Sequence, residues 1–370
     1  MEVENYSPFP HMAIQKFGYK GQLFDVIIVA GTFDLVHGQP LYISEDQLPI
    51  NTSDKYTGPP EISALTEETH LVISKKNTDI VIIGNAKSKN NIPSHHWNVG
   101  VRIGNYAKIA EVHAPRAWVY GTFSGWQIEY INKSISVPLD MSAAYGGYQK
   151  KDGTATNEGD NINDKNTFET FQQNPAGLGF IGKQKPDISK IYKTAQIQDP
   201  SNPITDIKRT YAPISFGPLA RWNPLRTRYL GTRDQNWKNT RFPYPPDDFD
   251  FLFYQAAQPD LICKGYLNGD EPIVLVGCNE KGRVDSALPG LRLLSILTDK
   301  DGLSQPEPMR LDTVSINVDT NQVKLVWRRT VPKSWELKHV LLAAIPNGSD
   351  QATKIHPVHI HPSNSSKVPE

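Results

Sequence analysis

The chain has 370 residues, enough for two domains or for one large β-rich unit with insertions. Lys plus Arg and Asp plus Glu both number 39, so the formal net charge is zero; a generic polyanion binder, which needs clustered cations, is not expected. Pro at 29 and Gly at 26 are spread along the sequence, which suits many short strands and turns and works against long helices.

Several segments carry strand signals in chain order. Val26-Ile27-Ile28-Val29-Ala30, bounded by Asp25 and Gly31, is a short apolar run that fits a strand covered on both faces. Asp79-Ile80-Val81-Ile82-Ile83-Gly84 reads the same way. Val99, Val101 and Ile103 alternate with Gly100 and Arg102, predicting a half-buried strand; Gly104-Asn105 turns the chain, and residues 107–112 pair back. With Ala117-Trp118-Val119-Tyr120 following, residues 1–140 read as a meander of strands in a sandwich or barrel.

From residue 141 to 260 the character changes. Residues 150–167 are rich in Gly, Asp, Asn and Lys and predict an exposed loop, and short helices are expected near 187–194 and 249–258. Strands return over 261–346. They include Ile273 to Val276, Leu291 to Leu297 and Thr313 to Val318, followed by a strand with Val323, Leu325 and Trp327 on one face and Lys324 and Arg328 on the other. Asp319-Thr320-Asn321-Gln322 is expected to join the last two as a hairpin, and residues 340–345 make one more strand. Residues 347–370 read as a polar tail. The expected fold class is therefore mainly β, a sandwich or barrel-like scaffold with long turn-rich loops and a few short helices, with residues 1–346 forming one composite unit.

Cys263 and Cys278 are too few for a disulfide framework and read as buried thiols in a reducing compartment, with a bridge across a candidate hairpin as the alternative. Residues 1–5 lack the basic and apolar regions of a signal peptide, and the longest apolar runs fall far short of the ~20 residues that span a bilayer. A cytoplasmic location without membrane or nucleic-acid partners is expected.

Few motifs suggest chemistry. His356, His359 and His361 are close enough in sequence to bind a metal, but a chain end with nothing to fix their geometry reads as a solvated tail. His95 and His96 point to opposite faces if extended. No P-loop, nucleophile elbow, His-Glu-x-x-His or Cys-x-x-Cys occurs. No catalytic residue, metal site or cofactor is expected.

The most informative stretch is residues 214–272, where aromatic residues, Arg, Asp, Gly and Pro recur without helical or strand period. Asp247, Asp248 and Asp250 follow Pro245-Pro246; they read first as turn and helix-capping carboxylates, with a catalytic, metal or partner-contact role as the alternatives. Arg221, Arg226, Arg228, Arg233 and Arg241 interleave with Trp222, Tyr229, Trp237, Phe242 and Tyr244. Such a set makes either an ion-pair and cation–π network pinning a loop or a recognition surface.

Ordered blocks in this stretch carry a family resemblance. They are Phe216-Gly217-Pro218 with Arg221-Trp222, Tyr229-Leu230-Gly231-Thr232 with Asp234 and Trp237, Arg241-Phe242-Pro243, Pro246-Asp247-Asp248-Phe249-Asp250 and Gly269-Asp270-Glu271-Pro272. Outside it stand Ala30-Gly31-Thr32-Phe33, residues 78–86, Val137-Pro138-Leu139, Ala144-Tyr145-Gly146-Gly147, Asn174 to Gly179 and Leu288-Pro289-Gly290. Together they resemble the accessory proteins of bacterial type VI secretion, a domain family of formerly unknown function encoded beside spike, tip and toxin genes. The resemblance implies a non-enzymatic adaptor or chaperone whose partners are a secreted effector toxin or the spike-tip proteins. The signature residues Arg221, Trp222, Tyr229, Asp234, Trp237, Asp247, Asp248 and Asp250 are then expected to matter structurally or at an interface. The competing expectation from the aromatic and Asp content is a carbohydrate-binding or carbohydrate-active β-sandwich.

Overall fold

In the computed structural model, residues 1–18, 21–151, 164, 166–183 and 185–348 are described. Thirteen strands and two two-residue strands build three larger sheets. In chain order the first six are β1 (Glu2–Asn5), β2 (His11–Phe17), β3 (Leu23–Asp34), β4 (Asp79–Ile83), β5 (His96–Ile103) and β6 (Tyr106–His113). The rest are β7 (Pro272–Val276), β8 (Arg283–Ala287), β9 (Leu291–Thr298), β10 (Ser304–Pro308), β11 (Arg310–Asn317), β12 (Gln322–Pro332) and β13 (His339–Pro346).

The central sheet runs β2-β3-β12-β11-β4, with Tyr42–Ile43 added beside β3. Its strands are antiparallel except β4, which lies parallel to β11 with Ile80 opposite Val314. Side-chain alternation decides which residues enter the core. Ile27, Val29 and Phe33 of β3, Val323, Leu325 and Trp327 of β12, and Val314 and Ile316 of β11 all point to one face and are buried. The ring of Phe9 stacks on Trp327 at 5.7 Å in the middle of this core. A second sheet, Ile197–Gln198 with β6-β5-β7-β8, adds Val99, Val101, Ile103, Ile273 and Leu275. A third, β1-β13-β9-β10, adds Leu293, Leu297, Val340 and Leu342. Cys263 and Cys278 lie free within the same core, and burial pushes both thiols up to about 12.

The mainly β architecture with turn-rich loops and short helices is the one the sequence predicts, and the sheets do not close into a barrel. The hairpins at Gly104-Asn105 and at 318–321 are present; in the second, Asn321 takes a left-handed conformation and the Asn317 carboxamide accepts the N–H groups of Asp319 and Thr320.

Three expectations are corrected. Residues 1–140 are not a meander, because each larger sheet takes strands from both ends of the chain: β1 pairs with β13, β3 with β12, and β5 with β7. Residues 187–194 are not helical. Asp187 accepts both the N–H and the hydroxyl of Ser189, which closes a turn, and Tyr192–Lys193 then pairs with Ala117 and Trp118. The helix expected over 249–258 shrinks to a 3₁₀ turn, Phe251–Tyr254, because Gln255 is extended and Ala256 is drawn away to bond Asp79. Two short helices not foreseen are α1 (Pro224–Thr227) and α2 (Gln235–Thr240).

His356, His359 and His361 and most of the 150–167 loop lie outside the described residues. His95 stacks on Tyr130 and His96 on His113, and among the described residues no cluster suited to a metal ion occurs. No helix among them is long and apolar enough to cross a membrane.

Candidate functional site

The second face of the central sheet is built by the side chains that alternate with the core set. Val26, Ile28 and Ala30 of β3 and Val326 of β12 form a small apolar cluster with Ile50 and Ile73. Toward the other end the same face turns polar. Asp79, Thr313, Ser315, Asn317, Gln322, Lys324, Arg328 and Thr32 share it by register. At Leu311/Thr313 a bulge inserts Asp312, aiming its carboxylate at Arg328 Nε 2.6 Å away.

Residues 44–76 fold over this face. Gln47 exchanges hydrogen bonds with the backbone of Thr32, and the Leu48 N–H donates to the Thr32 hydroxyl. Arg328 donates to the carbonyls of His70 and Val72. Between cover and sheet lies a cavity of about 230 Å³.

A buried charge network closes one end of the cavity. Lys75 Nζ lies 2.7 Å from Asp79 Oδ2 and 2.9 Å from Glu68 Oε2, and Arg226 reaches Glu68 Oε1 at 2.7 Å. Arg226 also donates to the carbonyls of Phe253 and Leu219. Asp79 further accepts from the Gln255 carboxamide and the Ala256 N–H, so only donors face it. Burial would raise the Glu68 carboxyl, but Lys75, Arg226 and Arg221 outweigh it and hold it down at about 2. His70, whose Nδ1 accepts from the Asn51 N–H, is driven well below its ordinary value by burial and by the Lys324, Arg328 and Lys75 charges; it is a neutral ring.

The signature stretch fastens onto this network. Arg221 Nε pairs with Asp54 at 2.8 Å, whose other oxygen accepts the Thr69 N–H, and the Trp222 indole donates to the Pro60 carbonyl. Asp250 caps the 3₁₀ turn through the Leu252 N–H and pairs with Lys76, which follows the cover segment's Lys75. Asp248 binds the backbone and hydroxyl of Thr232, while Asp247 pairs with Arg241. Asp234 is the N-cap of α2, accepting the Trp237 N–H at 2.8 Å. The Tyr229 carbonyl receives the Asp250 N–H, and the Arg228 guanidinium lies 4.7 Å from the Tyr229 ring.

These eight residues therefore divide. Arg221, Trp222 and Asp250 brace the segment over the cavity. Asp234, Asp247 and Asp248 fold a surface loop, 229–250, in which the rings gather. In that loop Trp237 packs edge-on against Phe242, its indole donates to the Tyr244 carbonyl, Arg233 lies over its ring, and Tyr244 meets Phe17 from β2. Phe17 is 59% exposed and Phe242 67%. The two faces of this arrangement are thus a buried ionic clamp and an open aromatic patch.

Sequence reasoning assigned no role to Glu68 and Lys75 and placed Asp79 only at the head of a covered strand. The signal available was Lys75-x-x-x-Asp79, ending at an apolar strand where a carboxylate has to find donors on burial.

The fold and the site define a β-rich protein whose signature segment locks a loop over one sheet. The chain belongs to the family described as an uncharacterized protein conserved in bacteria (DUF2169), whose model matches residues 20–328. No curated protein and no solved structure matches it.

Proposed function

We propose that the protein is a non-enzymatic adaptor that holds a polypeptide partner through the aromatic patch of loop 229–250, and that the partner is a toxic effector being loaded onto the spike of a type VI secretion apparatus. The observation that carries the reading is the pairing of exposure and rigidity. Phe17 and Phe242 are largely open to solvent, yet Trp237 and Tyr244 beneath them are held by a capped helix, an indole hydrogen bond and ion pairs. Rigid aromatic side chains flanked by Arg are the groups that dominate protein–protein contacts, and holding them in place beforehand lowers the entropy cost of association. The four signature carboxylates are each occupied, Asp234 by the Trp237 N–H, Asp247 by Arg241, Asp248 by Thr232 and Asp250 by Lys76, which favours a scaffold over an acid–base pair acting on sugars.

Coexpression with effector and spike-tip proteins of a type VI apparatus from the same bacterium, followed by affinity capture, tests the proposal. The unaltered protein is expected to retain one of them, and Phe17→Ser with Phe242→Ser to lose it while keeping the same melting temperature. Failure of the unaltered protein to retain any of them sinks the adaptor reading. Retention by the double variant removes the patch from it.

A further inference from the structure

Lys324 stands apart from every other cation around the cavity. Lys55 pairs with Glu67, Lys75 with Glu68 and Asp79, Arg221 with Asp54, Arg226 with Glu68, and Arg328 with Asp312. Lys324 has no carboxylate at ion-pair distance among the described residues. Its ammonium donates only to the Pro49 carbonyl at 3.3 Å and the Asn51 carboxamide oxygen at 3.2 Å. Burial, opposed by Glu67 and reinforced by Lys55, lowers its pKa, the condition of a charge still lacking its counter-ion.

The surroundings are set for one. Ser315 is the direct cross-strand neighbour of Lys324, and Gln322 lies two residues along on the same face. Both line the cavity, and among the described residues neither side chain makes a hydrogen bond. Leu48, Val81, Ile83 and Pro218 line the same space. A volume of about 230 Å³ is smaller than the usual drug-sized site and suits a ligand of a few heavy atoms.

We infer that this cavity is a binding site for a short-chain carboxylate, whose anionic group pairs with Lys324 and accepts hydrogen bonds from Ser315 and Gln322 while its apolar tail rests on Leu48, Val81 and Ile83. The same chemistry is offered by a small free acid and by the C-terminal carboxylate of a polypeptide ending in small residues. The inference is independent of the adaptor reading, whose surface is loop 229–250.

Titration calorimetry with propionate, with N-acetyl-Ala-Ala and with the same peptide as its C-terminal amide tests it. Binding of propionate or of the free-acid peptide at roughly millimolar strength is expected, with the amide at least about tenfold weaker. Propionate alone binding identifies a small acid as the ligand; a tighter peptide identifies a chain end. Lys324→Gln is expected to weaken binding at least about tenfold and Ser315→Ala a few-fold. If Lys324→Gln does not fold, the Lys324 titration in ¹³C-lysine-labelled unaltered protein decides, since a bound carboxylate shifts it upward. No binding of either acid, equal binding of the amide, undiminished binding by a folded Lys324→Gln, or an unmoved Lys324 titration overturns the inference.

Discussion

The carboxylate of Glu68 stands 2.7 Å from the guanidinium of Arg226, and both side chains are withdrawn from solvent. One belongs to the segment covering the central sheet and the other to the signature stretch, so this buried ion pair joins them alongside the more exposed Arg221–Asp54 and Asp250–Lys76 pairs. Removing Arg226 leaves the buried Glu68 with Lys75 alone as counter-ion, and removing Glu68 leaves Arg226 with backbone carbonyls only; breaking a buried pair in this way typically costs up to about 3–5 kcal/mol, whereas replacing both with packed neutral groups costs far less. Arg226→Ala is therefore expected to lower the urea midpoint strongly. Glu68→Gln with Arg226→Met should lose less than the two single changes summed, and a double-mutant cycle on urea midpoints measures the difference. Strict additivity would show the pair to be uncoupled.

Stability should fall with acid in two stages. His70 has a folded pKa well below the ordinary 6.5, so the unfolded chain takes up its proton first; its contribution is complete above about pH 6.5 and shrinks as pH falls. His113, lowered to about 4 by burial and by Arg116, acts in the same direction. Each adds a slope approaching about 1.4 kcal/mol per pH unit below pH 6.5. Glu68, held at about 2 against an ordinary 4.5, adds stability above pH 4.5 that is lost as pH falls toward 2. Urea unfolding between pH 7 and pH 5 is expected to flatten by one proton in His70→Asn, and an unchanged slope would show that His70 is not buried neutral.

Loop 229–250 rests on small caps. Asp234→Ala removes the α2 cap at a cost of about 1 kcal/mol. At Gly231, φ is +74°, and an added Cβ would sit 2.5 Å from the Asp248 carboxylate, expelling it from Thr232. Both Asp234→Ala and Gly231→Ala are expected to raise amide hydrogen exchange across residues 229–250 more than across the sheets. Uniform loosening of the whole protein would contradict a locally folded loop.

Asp312 owes its position to the bulge in β11. Asp312→Ala leaves the Arg328 guanidinium buried without its carboxylate, and a loss of about 3 kcal/mol or more is expected in thermal or urea unfolding. Asp312→Asn, which keeps an acceptor for Arg328 Nε, should recover part of it.

The strands were legible wherever burial enforced a pattern. The apolar run Val26 to Ala30 and the alternation of Val323, Leu325 and Trp327 against Lys324 and Arg328 both appear as read, because side-chain period alone decides them. Partners were legible only across the two hairpins, at Gly104-Asn105 and at 318–321. Alternation does not say which strand lies alongside, so the parallel pairing of Ile80 with Val314 has no local signature. The helix α2 was missed because six residues show no period, although Asp234 three residues before Trp237 is an N-cap signal; Asn223-Pro224 announces α1 in the same way. The cavity escaped notice for a different reason. Thr313, Ser315 and Asn317 look like a solvent face, and only the fold of residues 44–76 encloses it.

Val3 of β1 lies opposite Val340 of β13, in parallel, so the two ends of the described chain are laid side by side. During synthesis the first strand waits for the last, while β3 waits for β12 across some three hundred residues. A nascent chain can pair β3 with β2 and β5 with β6, but it holds the other edges of β3 and β5 open until late in translation, and topologies rich in such distant contacts fold slowly. Truncation anywhere before residue 346 should therefore yield an insoluble product rather than a smaller working protein, and expression in cells short of chaperones should be the condition in which the full chain is first lost.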